Sequence, residues 1–147
     1  TSVIEGSNGT RVGGICGTNS GGVVKNVYNT GKISSVRHHS GGILGINEGG
    51  VLINSYNIGE IVDSGYTLGN IVGYNYTASS KIYNSYGLKG KAVNLVGLND
   101  GEVDYNCTEK DEEEMKNSAS ILGEQFKNDY NDDEMLNNGY PILTWQH

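Results

Sequence analysis

Three sets of residues in this sequence have side chains suited to chemistry. His38 and His39 are adjacent, and imidazole is a common metal ligand and proton carrier. A zinc peptidase of the His-Glu-x-x-His kind needs two imidazoles one helical turn apart and a carboxylate base, and no such run occurs. Neighbouring residues in a strand point to opposite faces, so the two histidines read as solvated residues of a connection. Asp129, Asn131 and Asp133 match positions 1, 3 and 5 of a calcium loop. Position 6 is Glu134 where that loop needs glycine, and position 12 is Tyr140 where it needs a bidentate carboxylate. The better reading is a solvated helix start with Asp132 or Asp133 as N-cap. The other carboxylates, Glu5, Glu48, Glu60, Asp63, Asp100, Glu102 and Asp104, are scattered, with no pair set out as a glycosidase requires. The expectation is therefore no enzyme, no metal and no cofactor, with a polysaccharide-degrading β-helix as the remaining catalytic alternative.

The tyrosines offer binding chemistry instead. Tyr28, Tyr56 and Tyr86 recur at related places, and Tyr66, Tyr74, Tyr76 and Tyr83 gather between the second and third. Exposed, Tyr28, Tyr56, Tyr86 and Tyr74 would present aromatic faces to a sugar. Buried, the same ladder would only hold stacked strands together.

What must position them is a repeat. Gly14-Ile15-Cys16-Gly17-Thr18-Asn19 returns as Gly42 to Asn47, Asn70 to Asn75 and Asn94 to Asn99, in steps of 28, 28 and 24 residues. A fixed period of this size marks stacked units. The second copy is the clearest, with extended segments at Gly42–Ile46, Val51–Tyr56 and Glu60–Asp63, separated by turn residues. No segment of the copy has helical periodicity. Three strands and three turns make one coil of a parallel β-solenoid.

The anchor columns have separate reasons. Gly14, Gly42, Asn70 and Asn94 are residue types that accept positive φ, which predicts a left-handed corner. Gly17, Gly45, Gly73 and Gly97 predict close backbone approach. Ile15, Ile43, Ile71 and Leu95 form the inward apolar column. Cys16, Leu44, Val72 and Val96 then face out and need cover. Asn19, Asn47, Asn75 and Asn99 predict an amide ladder holding the coils in register. A second column runs through Asn26, Asn54 and Asn84.

Composition agrees with a thin, layered object: 147 residues, 23 glycines, one proline and 35% hydrophobic residues. A net charge of −7 argues against nucleic acid and anionic membrane as partners. No run of 18 apolar residues occurs, so no membrane insertion is expected. Cys16 and Cys107 fall three layers apart, about 14 Å at ~4.8 Å per strand, too far to bridge.

After residue 108 the repeat ends. Lys110 to Lys116 predicts a short helix with Met115 on its buried side, Ser118 to Phe126 a further helical turn, and Ile142–Trp145 a last strand. This segment holds the only Phe, Trp and Pro, and its expected task is to cover the open end of the solenoid. The chain thus divides into repeats, 1–108, and a C-terminal cap, 109–147.

The phrases at residues 41–49 and 54–59, Gly-Gly-Ile-Leu-Gly-Ile-Asn-Glu-Gly and Asn-Ser-Tyr-Asn-Ile-Gly, resemble the GLUG repeat. The likeness covers about residues 10–108. GLUG repeats occur in bacterial surface proteins, among them adhesins and immunoglobulin-A-specific peptidases. The tail from Asn137 to Gln146 is similar to the ending of many such proteins from Gram-positive bacteria. The resemblance implies a secreted or cell-surface location and a non-catalytic role as adhesion scaffold or spacer. Its implied partners are a host glycan or host protein and other domains of the same polypeptide. The fold expectation is all-β, a right-handed parallel β-helix of about four coils with a cap containing a short helix. The alternative function is a carbohydrate-binding module built on the tyrosine ladder.

Overall fold

A computed structural model of the chain describes residues 3–6, 11–36, 38–63, 66–130 and 134–146. The first turn comprises β1 (Val3–Gly6), β2 (Arg11–Gly13), β3 (Cys16–Ser20) and β4 (Val23–Asn29). The second repeats it as β5 (Lys32–Ser35), β6 (His39–Gly41), β7 (Leu44–Glu48) and β8 (Val51–Asn57). The third is β9 (Ile61–Asp63), β10 (Thr67–Gly69), β11 (Val72–Tyr76) and β12 (Lys81–Leu88). Equivalent strands pair in parallel, giving sheets β1-β5-β9, β2-β6-β10, β3-β7-β11 and β4-β8-β12. The molecule is an all-β parallel solenoid of about three turns with very little helix. A fourth turn is only sketched by β13 (Val96–Asn99), β14 (Glu102–Val103) and β15 (Glu109–Lys110), laid along β11 and β12.

Each turn has four strands rather than the three read from the sequence. The missed one is the short strand Arg11–Gly13, His39–Gly41 or Thr67–Gly69. Ending on glycine and only three residues long, it carries no periodic signal. It doubles back on the next strand through a two-residue corner, and the two sheets press together backbone to backbone. The glycine column is what permits this. A Cβ on Gly45 would lie 2.6 Å from Gly17 O and 2.7 Å from Val12 N.

Two further expectations change at this corner. Gly42 and Asn70 are not left-handed; a Cβ on Gly42 would meet Asn57 Cγ and Asn70 O, each at 2.3 Å, so crowding alone demands glycine. Leu44 and Val72 do not face out. They are fully buried with Ile43 and Ile71 in one core that includes Leu52 and Ile82. The chain bends between positions 43 and 44, so the two-residue alternation of a strand does not run across that bond.

A recurring left-handed position falls instead on Asn26 (φ 55°), Asn54 (φ 53°) and Asn84 (φ 42°), each in the middle of a strand. A left-handed residue acts as a bulge and resets which side its successors face. Leu52 and Ser55 therefore both point inward, and Tyr56 turns to the outer surface of its sheet.

That outer surface is covered by the C-terminal segment. An Asp111–Glu114 capping box starts α1 (Glu112–Lys116), whose Met115 is fully buried. α2 (Ala119–Leu122) follows, and β16 (Phe126–Lys127) pairs antiparallel with β17 (Ile142–Leu143). Met115, Leu122, Phe126 and Tyr140 pack on Tyr56 and Tyr86, with Tyr28 at the margin. The segment thus lies along the flank of the solenoid rather than over its end. Trp145 is not part of this packing and is 68% exposed.

Candidate functional site

Most polar side chains inside the repeats are occupied by one another. Asn19 Nδ2 donates to Asn47 Oδ1 at 2.9 Å, Asn47 to Asn75 at 3.0 Å, and Asn75 to Asn99 at 2.8 Å. Each of the first two also donates to the carbonyl of a turn glycine, Gly22 or Gly50. The Asn26 column forms its own ladder: Asn84 donates to Asn54 and Asn54 to Asn26. A third ladder was not read from the sequence. Asn29 donates to Asn57, Asn57 to Asn70, and Asn70 to Glu109 Oε1, at 2.9, 3.0 and 2.9 Å. The recurrence of Asn-x-Gly at 29–31 and 57–59 was its available signal, since each amide also closes a local turn onto that glycine.

The expected tyrosine strip is not an open platform. Tyr28 and Tyr56 do stack, with centroids 5.1 Å apart and planes 2° from parallel. Tyr56 is fully buried, however, and Tyr86 almost so, because the C-terminal segment lies over them. The Tyr56 hydroxyl donates to Pro141 O and accepts from Asn137 Nδ2, and burial holds it protonated far above the usual phenol range. These rings fasten the tail to the solenoid. Asp129 is likewise spent: its buried carboxylate accepts from the backbone N–H groups of Leu136, Asn137 and Gly139. Asn131, Asp132 and Asp133 of the considered calcium loop lie outside the described residues. Cys16 and Cys107 are free, and burial raises the Cys107 thiol pKa.

A second aromatic group stands open beside β6, β10 and β11. Tyr74, the fourth tyrosine singled out from the sequence, belongs to it, between His39 and Tyr76. The rings of Tyr66, His38, His39, Tyr74 and Tyr76 form an unbroken run, with successive centroids 5.3, 6.2, 5.2 and 5.2 Å apart. Such spacings are those of offset and tilted aromatic contacts. Tyr66 is 84% exposed and Tyr76 43%. The two histidines do not take opposite faces, as alternation predicts. His38 has φ 51°, a conformation that costs a non-glycine residue energy, and it stacks on Tyr66 within 18° of parallel.

The run borders a shallow cleft of about 350 Å³ lined by Arg11, His39, Ile46, Glu48, Tyr74 and Tyr76. Arg11 and His39 come from β2 and β6, in register with Thr67 on β10. Ile46 and Tyr74 come from the same column of β7 and β11, and Glu48 and Tyr76 from the next. The groups are held in place. The Tyr74 hydroxyl donates to Asp100, and this bond raises its pKa above the ordinary phenol value. Thr67 Oγ1 donates to His38 O, so His39 Nδ1–H donates to Thr67 Oγ1, at 2.5 Å. Burial, then the charges of His38 and Arg11, lower the His39 pKa. A neutral ring with its proton on Nδ1 leaves Nε2 as an acceptor. The cleft therefore offers aromatic faces, a guanidinium donor, a carboxylate acceptor and an imidazole acceptor in one place.

The turn that contributes Arg11 also carries a likeness to a known motif. Residues 8–34 match the GLUG motif. The chain thus carries a GLUG repeat across its first turn, where Gly17, Asn19, Asn26 and Asn29 supply the close contact and the three ladders. The second turn pairs with this GLUG turn, Asn19 beside Asn47, and the third pairs with the second, Asn47 beside Asn75. No curated protein and no solved structure was found to match the chain.

Proposed function

We propose that this chain is a rigid, non-catalytic repeat module of a larger exported bacterial protein. It acts at the cell surface or in the secreted fraction as an adhesion scaffold or spacer. The observation that carries the reading is the continuity of the three amide ladders. They commit the polar side chains of each turn to holding the next, which is the economy of a scaffold. In this reading the turns wind right-handed, the usual sense of parallel crossovers, and the sketched fourth turn closes the stack while the C-terminal segment covers its flank.

The opposite end supports a place within a longer stack. β2, β3 and β4 have no partner strand on their outer edge among the described residues, and Ile15 and Val23 stand exposed along that rim. An edge of this kind is a template for a further parallel turn.

The test is location and activity together. Antibodies against the purified chain, applied to intact cells that express the parent gene, are expected to label the surface or the medium. Labelling only after lysis overturns the reading. The purified chain is expected to release no new reducing ends from a polysaccharide panel, and reproducible release would make it an enzyme.

A further inference from the structure

We propose that the cleft beside the Tyr66–His38–His39–Tyr74–Tyr76 run binds a neutral saccharide, one or two pyranose rings in length. The inference deepens the adhesive side of the proposed function, but it is a property of the purified chain and is testable without knowing where the chain resides.

Three observations converge on this occupant. The first is the ring run itself. Aromatic side chains in a folded core bury their faces, as Tyr56 does, yet Tyr66 and Tyr76 keep much of theirs in water. A pyranose has an apolar face of C–H groups that covers such a ring while its hydroxyls stay at the rim. The second is the polar set around the cleft. Arg11 is a planar fork of donors and Glu48 a planar pair of acceptors, and both match vicinal hydroxyl pairs. His39 Nε2 adds one more acceptor. The third is charge. Arg11 and Glu48 balance within the cleft, and the chain as a whole carries −7. A polyanion is repelled at long range and gains nothing locally, whereas an uncharged polyol meets neither cost.

The site is also organised before any ligand arrives. Asp100 fixes the Tyr74 hydroxyl, Thr67 fixes the His39 ring, and the left-handed His38 sets its ring against Tyr66. Backbone strain held by surrounding structure is characteristic of binding sites, and fixed side chains reduce the ordering cost of binding. The cleft is small and open, so the expected affinity is weak, with Kd on the order of 0.1–1 mM.

The experiment is an NMR titration of the intact 15N-labelled chain with neutral mono- and disaccharides, and in parallel with a sialylated trisaccharide. The expected result is saturable shifts confined to residues 11, 38–39, 46–48, 66–67 and 74–76. Tyr76→Ala and Tyr66→Ala, both at exposed rings, are each expected to weaken binding at least about fivefold while leaving the dispersion of the spectrum unchanged. Tyr28→Phe, at a ring packed with the C-terminal segment and not lining the cleft, is expected to change nothing. The proposal is overturned if no neutral sugar gives saturable shifts at about 50 mM, well above the expected Kd. Binding that survives both alanine variants, or that is confined to the anionic sugar, overturns it equally. Because the readout is binding in solution, a negative result here leaves the location test untouched, and the converse also holds.

Discussion

Asn70 places its carboxamide in the space left by the absent side chain of Gly87: a Cβ on Gly87 would lie 2.3 Å from Asn70 Cγ. Gly87 is the register partner of Asn57, and Asn70 stands where the turn below has Gly42. In the second turn the ladder amide comes from the β8 side and the corner is glycine. In the third turn the two residues exchange roles. The rung is kept, and Asn57 Nδ2 still finds an amide oxygen 3.0 Å away.

This exchange predicts strong coupling. Asn70→Gly alone strands the Asn57 amide and the Leu88 carbonyl it now serves, at a cost of about 1–3 kcal/mol. Gly87→Asn alone overfills the site by a similar amount. The double variant recreates the arrangement of the second turn and should return to within about 1 kcal/mol of the parent. Urea denaturation of all four proteins measures the cycle. Additive losses would contradict the role exchange.

Tyr56 links the tail to the solenoid through Pro141 and Asn137. Tyr56→Phe keeps the ring packing but leaves Pro141 O with only its longer donor, Asn137 Nδ2 at 3.3 Å, and takes the hydroxyl acceptor from that amide, so a loss of about 1–3 kcal/mol is expected. Amide hydrogen exchange should quicken first across residues 109–146. Equal quickening throughout the repeats would mean that the tail and the solenoid are one cooperative unit.

How much of this was legible beforehand depends on whether a feature repeats in place. The Asn19 column was readable because the same residue type returns at a fixed step, and the ladder geometry follows from that. The Asn29 ladder was hidden by the exchange at Asn70, since its steps are 28 and then 13 residues. The inward turn of Leu44 depended on a bend that residue types do not announce. The ring run was the least visible. It joins β6, β10 and β11, and relies on a left-handed His38, where neither asparagine nor glycine marks the place.

His39 gives the site a pH signature. Its pKa is lowered below 6.5 by burial, with His38 and Arg11 adding to the effect. The unfolded chain therefore takes up this proton at a higher pH than the folded chain. Stability from this residue is complete above about 6.5, declines as pH falls from there through the lowered value, and then levels off. An NMR titration of the His39 Hε1 proton is expected to give a midpoint below 6.5. A midpoint at or above that value contradicts the neutral ring assigned to the cleft.

The register of the turns is tested most directly at the buried carboxamides. Asn47 is fully buried, accepts from Asn19 and donates to Asn75 and to Gly50 O. The expected result is slow exchange of its side-chain amide protons, with nuclear Overhauser contacts to the amides of Asn19 and Asn75. Asn47→Ala should then cost about 2–4 kcal/mol. Side-chain protons of Asn47 that exchange like those of a solvated asparagine, without such contacts, would contradict the stacked arrangement.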